Sequence, residues 1–218
     1  MRIKFDEQLT TLHTELLQMC SFLEQGITSA CNALVNHDNS QAQNAIQTEK
    51  ETDKKEREIE SLCIKLLLQQ QPVAKDLRVI SAALKMITDM ERIGDQIADI
   101  SEIVLYLTDF EYIKQLDHLP RMAQATANMV KQSINAFIKN DVELAKQVIN
   151  MDNVVDELFI IIKKELVELI HRNGSSSEQA LDFLMIAKYY ERIGDHAVNI
   201  AEWVLFSLTG IHKGNKLE

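Results

Sequence analysis

The sequence has little of what strands, tight turns and membrane spans require. Its 218 residues include six glycines and two prolines, and only 6% are aromatic. That composition is poor for strands and turns and favourable for long helices. No run of about 18 apolar residues occurs, so we expect no transmembrane helix. The N-terminus from Met1 to Asp6 turns acidic at once and lacks the apolar core of a signal peptide.

Cysteine and basic charge are also scarce. Cys20, Cys31 and Cys63 show no Cys-x-x-Cys spacing, so we interpret them as small core residues in a reducing compartment. Acidic residues outnumber basic ones by 33 to 23, for a net charge of −10. This balance argues against a nucleic-acid partner, which needs a basic face. It also argues against direct contact with an anionic membrane surface.

A five-residue motif occurs twice. The segment Glu91–Asp95 (ERIGD) returns one hundred positions later as Glu191–Asp195. Upstream the offset becomes 103, so that Asp38 corresponds to Asp141. We interpret this as the duplication of a domain-sized unit, with residues 1–108 forming the first unit and 109–218 the second.

Turn residues and prolines divide the chain into six long segments with helical periodicity. We predict helices at about 5–35, 40–70, 73–107, 121–139, 141–171 and 178–208, with Asp141 as the N-cap of the fifth. Short connections favour antiparallel neighbours. The predicted fold is therefore all-α, with two tandem, pseudo-symmetric three-helix bundles built from long amphipathic antiparallel helices.

Acidic pairs interrupt the apolar stripes of four helices. The pairs are Glu49 with Asp53, Glu91 with Asp95, Asp152 with Asp156, and Glu191 with Asp195. Residues four apart share one face of a helix, so each bundle brings two such pairs. On the third helix they continue a stripe of Ile80, Leu84 and Ile87 that we expect to face inward.

Such a cluster needs compensation. Two carboxylates ~4 Å apart repel by ~4 kcal/mol even at an effective dielectric of ~20. Either a metal ion bridges them, or cations and solvent neutralise them, and the residues leave both readings open. The cations available for an ion-pair network are Arg92, Arg192, Lys50, Lys54 and Lys55. An all-oxygen metal site would suit Mg, Mn or ferric iron, and zinc is acceptable.

No catalytic constellation accompanies these acids. The sequence has no phosphate-cradling glycine loop, no nucleophile context and no zinc-type spacing, so we expect no enzyme. One alternative is a carboxylate-bridged metalloenzyme of the helical-bundle type, although the histidine ligands of Glu-x-x-His sites are missing. Another is a helical scaffold whose acidic patches stay empty. Gly94 and Gly194, each costly within a helix, indicate close approach of a neighbouring helix or cluster, or tight packing alone.

Three segments resemble the PhoU family, accessory regulators of bacterial phosphate uptake. They are Gln71–Arg78 (QPVAKDLR), Leu84-Lys85 and Asp89–Asp95 (DMERIGD). The resemblance covers nearly the whole chain, including the duplication. The second unit departs from the pattern, since Asn199 replaces Asp99 and no Gln-Pro stretch is present.

The resemblance implies specific properties. In this family the acidic pairs of some members hold iron or zinc clusters on the bundle surface. Partners implied by the resemblance are the ATPase subunit of the phosphate ABC transporter, a membrane sensor histidine kinase and a second copy of the chain. The protein would be cytoplasmic, peripheral to the inner face of the membrane, and would hold down the phosphate-starvation response when phosphate is plentiful.

Overall fold

The computed structural model describes residues 2–69, 73–107, 117–172, 177–213 and 215–216. These residues form six helices, Arg2–Asn36 (α1), Asn39–Gln69 (α2), Ala74–Leu107 (α3), His118–Lys139 (α4), Val142–Arg172 (α5) and Ser177–Thr209 (α6). Two short strands, Ile211–His212 (β1) and Asn215–Lys216 (β2), pair antiparallel after α6. The predicted all-α class is confirmed, although the tail strands were not predicted. The predicted boundary at 108/109 and the loop at 173–176 lie outside the described residues.

Two aspartates begin helices at equivalent places in the repeat. The side chain of Asp141 accepts a hydrogen bond from the backbone N–H of Leu144 at 2.9 Å. Asp38 accepts similar bonds from the N–H groups of Ser40 and Gln41. Both satisfy backbone donors that the first turn of a helix leaves unpaired. The prediction that Asp141 caps α5 is confirmed.

Sequential helices pack antiparallel within each unit. Between α1 and α2, Lys55 contacts Glu15, while Gly26 lies against Thr48. Moving along α1 from Glu15 to Gly26, the contacted residue on α2 moves back from Lys55 to Thr48, so the two helices run in opposite directions. The same relation links α2 to α3 and the helices of the second unit.

The two units are joined through equivalent helices. The Nδ1 of His196 on α6 lies 2.9 Å from the Oδ1 of Asp89 on α3, and Asn199 donates a hydrogen bond to the same oxygen. Tyr189 on α6 is hydrogen-bonded to Asp99 on α3. Because 89 corresponds to 189 and 99 to 199, these two contacts are related by the pseudo-symmetry of the repeat. One continuous apolar core runs through both units.

The inward stripe predicted for α3 is confirmed at Ile80 and Ile87, which are buried, but not at its two acids. Leu84, Glu91 and Asp95 are only partly buried, whereas Met90 and Ile93 are fully buried. Neighbouring positions differ by about 100° around a helix, so the acids lie at the edge of the core. This edge position lowers the cost of keeping the carboxylates charged.

The cysteines and helices agree with two further expectations. Cys20 and Cys63 are buried, Cys31 is partly buried, and all three are free thiols. Burial raises the pKa of the Cys20 and Cys63 thiols to about 12, with nearby glutamates adding to the effect.

Within the described part of the chain, no helix combines the length and apolar character needed to cross a bilayer.

Candidate metal centres on two acidic faces

The eight predicted ligands lie on two faces, one in each unit. The first acidic face comprises Glu49, Asp53, Glu91 and Asp95 of α2 and α3, and the second comprises Asp152, Asp156, Glu191 and Asp195 of α5 and α6. Six of these side chains are partly buried, while Asp156 and Asp195 are exposed. Both faces therefore border solvent, where an ion could reach the carboxylates without entering the core.

On the first acidic face, α2 and α3 bring their carboxylates together around Glu91. Partial burial, followed by the charges of Asp95, Glu56 and Asp53, raises the pKa of the Glu91 carboxyl. Arg92 opposes this shift, with its Nε 3.5 Å from the Oε2 of Glu91. Glu56 was not among the predicted ligands, although it lies one turn beyond Asp53 on the same helix. Thr88 also donates a hydrogen bond to Glu56, at 3.4 Å.

Asp95 connects the first acidic face to the second unit. Partial burial is the largest cause raising the pKa of Asp95, and the charges of Asp53 and Asp99 add to it. Arg92 and His196 act in the opposite direction. His196 belongs to α6, so this acid lies near the junction of the two units. The charge of Asp99 has no counterpart in the second unit, which has Asn199 at that position.

Glu49 lies on the first acidic face with a partly buried side chain. It is absent from the strongest influences on both Glu91 and Asp95. On α2, Glu49 lies one turn before Asp53, and Glu56 lies one turn after it. The charge of Asp53 on α2 influences both Glu91 and Asp95 on α3.

On the second acidic face the other three predicted ligands all influence Asp152. Burial, followed by the charges of Asp156, Asp195 and Glu191, raises the pKa of Asp152 to about 6. The Oδ1 of Asp152 is buried and has no hydrogen-bond partner among the described residues. A buried carboxylate oxygen without a donor is costly unless a proton, a cation or water satisfies it.

A lysine that the sequence analysis missed lies on this second face. Lys188 forms an ion pair with Glu191, and its Nζ lies 5.6 Å from the centre of the Phe159 ring. The i, i+3 spacing of Lys188 and Glu191 was the signal available in the sequence. Partial burial, followed by the charge of Glu191, raises the pKa of the Asp195 carboxyl. Lys188 opposes this shift. The second face thus carries an internal counter-charge.

The ion-pair alternative is realised only in part. Arg92 reaches Glu91, as that alternative expected. Lys54 and Lys55 instead pair with Glu58, and Lys55 also pairs with Glu15. These lysines therefore neutralise acids outside the first acidic face.

The two repeated glycines face the helices that carry the other acids. Gly94 faces Thr52 of α2, and Gly194 faces Asp152 and Val155 of α5. A side chain at either position would press on that helix. The glycines thus allow α2 and α5 to lie close enough for the acidic pairs to meet.

The carboxylate donors fit a hard cation, but their side chains lie too far apart to share one ion. Every converging donor is a carboxylate oxygen, and Asp152 offers one that lacks a partner. As placed, no three His, Cys, Asp or Glu groups within the described ranges converge tightly enough for one ion. Binding would therefore draw the carboxylates inward by side-chain rotation.

Comparison with known proteins places this geometry in a family. The sequence model of the PhoU domain matches the chain twice, over residues 16–104 and 119–204. A phosphate-specific transport system accessory protein PhoU homolog from Clostridium acetobutylicum is 34% identical over 94% of this chain and 94% of its own length. The PhoU homolog 1 from Thermotoga maritima is 32% identical over 95% of this chain and 90% of its own length.

Two solved structures share the arrangement of helices. The crystal structure of PhoU from Pseudomonas aeruginosa gives a TM-score of 0.90 at 30% identity, covering 95% of this chain and 100% of that one. The phosphate transport system regulatory protein PhoU from Streptococcus pneumoniae gives a TM-score of 0.88 at 25% identity, covering 98% and 99%. The similarity thus extends over nearly the full length of each chain.

Proposed function

The chain belongs to the PhoU family, and we propose that it is a regulatory adaptor that couples phosphate uptake to phosphate-starvation signalling. Its relatives are named as accessory or regulatory proteins of phosphate transport, and those names do not describe enzymes. The adaptor would contact the ATPase subunit of the phosphate ABC transporter and a membrane sensor histidine kinase. When phosphate is sufficient, it would keep the starvation response low.

The observation that supports this proposal most is the full-length similarity to accessory and regulatory proteins, with both repeats matched. The surface is compatible with docking, since large apolar side chains such as Leu181 and Met185 of α6 are 56% and 45% exposed. Exposed apolar groups in clusters favour contacts with other proteins. Recruitment by such partners would hold the protein at the inner face of the membrane from the cytoplasmic side.

A binding experiment tests the adaptor. The purified chain is immobilised and offered the transporter ATPase and the cytoplasmic part of the kinase, with phosphate present or absent. We expect both to be retained, with phosphate changing the retention of at least one. Leu181→Glu on the exposed face of α6 provides a surface variant, and Leu17→Glu on α1 provides the matched control. Failure of both partners to bind under either condition would reject the adaptor role.

We further propose that the acidic faces bind metal ions. Asp53, Glu91 and Asp95 would hold ions on the first face, with Glu49 in reach after rotation of its side chain. The second face would use Asp152, Asp156, Glu191 and Asp195. Iron or zinc follows from the family resemblance, and Mn or Mg would also suit carboxylate oxygens. The bound ions would neutralise the carboxylates and tie α2 to α3 and α5 to α6.

Elemental analysis tests the metal proposal. The wild type and the double variant Asp95→Ala/Asp195→Ala are purified without chelator, and their metal content is compared. We expect the variant to lose most of its metal. Glu143→Ala/Glu168→Ala, which removes two exposed acids of α5 away from the faces, is the matched control. Equal metal content in all three proteins would remove this ligand assignment, and oxygen-dependent turnover by the loaded protein would favour a metalloenzyme instead.

We also propose that the protein forms a homodimer. Symmetric pairs of identical chains are the most frequent oligomers of soluble proteins. Sedimentation velocity over a range of protein concentrations measures the state directly. A single monomeric species throughout that range would reject the dimer without affecting the adaptor role.

A further inference from the structure

The outer face of α5 carries apolar side chains that the fold leaves in solvent. Val155, Leu158 and Ile162 of this helix are buried in the core of the second unit. On the opposite side, Val154 is 52% exposed, Ile160 50%, Ile161 40% and Val167 46%. A shallow depression lies between Ile160, Lys164 and Val167. We call Val154, Glu157, Ile160, Ile161, Lys164 and Val167 the outer α5 face.

The residues of the outer α5 face form a palindrome of side-chain types about its middle. The two charged positions carry opposite signs. From the middle, between Ile160 and Ile161, each direction passes an isoleucine, then a charged residue, then a valine. Towards the N-terminus the charged residue is Glu157, and towards the C-terminus it is Lys164. Both charged side chains are exposed, and neither makes an ion pair with another described residue.

We propose that the outer α5 face binds the same face of a second copy of the chain, with the two helices antiparallel. A two-fold axis passing between Ile160 and Ile161 would place the isoleucines of both copies at the centre. Glu157 of each copy would then lie level with Lys164 of the other, forming two equivalent ion pairs. Val154 of each copy would lie level with Val167 of the other. A surface that repeats itself under rotation in this way is what a symmetric dimer requires.

The charges select the antiparallel direction. In a parallel pairing with the same residues in contact, Glu157 would meet Glu157 and Lys164 would meet Lys164, and both contacts would repel. Opposite charges set the orientation of paired helices in this manner. The chain carries a net charge of −10, so two copies repel each other at long range. At the contact itself, Lys164 of each copy would attract the negative charge of the other copy.

The size of the face sets the strength of the contact. Val154 and Val167 are separated by about 20 Å along the helix, at 1.5 Å per residue. That is shorter than the patch of a standard stable interface. We therefore expect a weak dimer whose population depends on the protein concentration. The surface rests on the homodimer proposed above, and it is independent of the regulatory partners.

Charge exchange tests the surface by sedimentation. Glu157→Lys and Lys164→Glu should each weaken the dimer at least about tenfold, because each places like charges in both symmetric contacts. The double variant should restore the wild-type dissociation constant. The control exchanges Lys54 and Glu58 on α2, an exposed lysine and an exposed glutamate outside the outer α5 face, and should leave association unchanged.

Disulfide trapping tests the register. In a Cys31→Ser background, which removes the partly exposed native thiol, Ile161→Cys should give a covalent dimer on mild oxidation, because the two copies of position 161 lie beside the axis. Val154→Cys should not, because its two copies would be about 20 Å apart along the helices. A dimer that is unaffected by the charge variants, or equal trapping at both positions, would overturn this surface but keep the dimer. A strictly monomeric wild type would overturn both.

Discussion

The Oδ1 of Asp152 lies 3.0 Å from the point where a Cβ on Gly194 would stand. At the equivalent place in the first unit, a Cβ on Gly94 would lie 2.9 Å from the Oγ1 and 3.2 Å from the Cβ of Thr52. A carboxylate tip can rotate away, whereas Thr52 is fully buried and its hydroxyl donates to the backbone carbonyl of Thr48. Identical motif glycines therefore have neighbours of different rigidity.

We expect Gly94→Ala and Gly194→Ala to differ in their effect on stability. Alanine is favoured over glycine within a helix by about 1 kcal/mol. At position 94 the clash with Thr52 should outweigh that gain, because overpacking costs about 1–3 kcal/mol. Gly94→Ala should therefore lower the free energy of unfolding by about 1 kcal/mol, and Gly194→Ala should leave it within about 0.5 kcal/mol of the wild type. Urea unfolding of both variants measures this, and equal losses would show that Thr52 and Asp152 yield equally to a methyl group.

Neutralising Asp152 should stabilise the metal-free protein. At neutral pH its carboxylate is crowded by Asp156, Glu191 and Asp195, and Asp152→Asn removes one charge from that group. We expect a gain of about 1 kcal/mol in the free energy of unfolding, after discounting the shift for the solvent that reaches this side chain. The measurement uses denaturant unfolding in the presence of a chelator. Asp156→Asn, at an exposed position, should give a smaller gain, and a loss of stability in Asp152→Asn would count against repulsion.

The two helix caps should contribute about equally. Asp38→Ala and Asp141→Ala each remove the acceptor for backbone donors at a helix start, at a cost of about 1 kcal/mol. The caps belong to different units, so the double variant should lose the sum within about 0.5 kcal/mol. Asparagine caps helices as well as aspartate does, and Asp141→Asn should stay close to the wild type. Thermal unfolding gives all four values.

Stability should fall when His13 becomes protonated. Its ring meets that of Phe137 edge to face at 5.7 Å between centroids, and burial lowers the pKa of His13 below 6.5. The unfolded state therefore binds a proton at a higher pH than the folded state. The contribution is fully present above about pH 6.5 and is lost as the pH falls from there through the lower folded pKa.

The variant His13→Leu isolates that contribution. The unfolding free energies of wild type and variant are measured between neutral and mildly acidic pH. The wild type should lose more stability than the variant as the pH falls. Parallel curves would show that protonation of His13 is not linked to folding.

Much of the fold was predictable because its signals are local. Asp141 caps α5 through a contact three residues away, and glycine, proline and asparagine end helices by their own backbone preferences. The width of the buried surface of α3, and with it the edge position of Glu91 and Asp95, was not predictable in this way. That helix packs against α1, α2 and α6, so buried positions such as Met86, Met90 and Ile97 occupy more than one stripe. The periodicity of the sequence predicts one apolar face for a helix. It does not indicate how many other helices pack against it.

The site was predictable in outline and less so in membership. Duplication placed two acidic pairs in each unit, and α2–α3 and α5–α6 do bring acids together. Glu56 emerged only from the packing between helices, because its partner Glu91 lies on α3, and the contact of Lys188 with Phe159 likewise joins two helices. The position equivalent to Glu56 in the second unit is Phe159, so the two faces differ in charge as well as in neighbours.

The contacts between α3 and α6 make the first half of the chain complementary to the second half. Within the intact chain, Asp89 meets Asn199 and His196, while Asp99 meets Tyr189. If the first half were cut free and paired with its own copy through α3, Asp89 would face Asp99 of that copy, and the same would recur across the axis. Both contacts would then be between carboxylates. At these two contacts the first half is therefore complementary to the second half and not to a copy of itself.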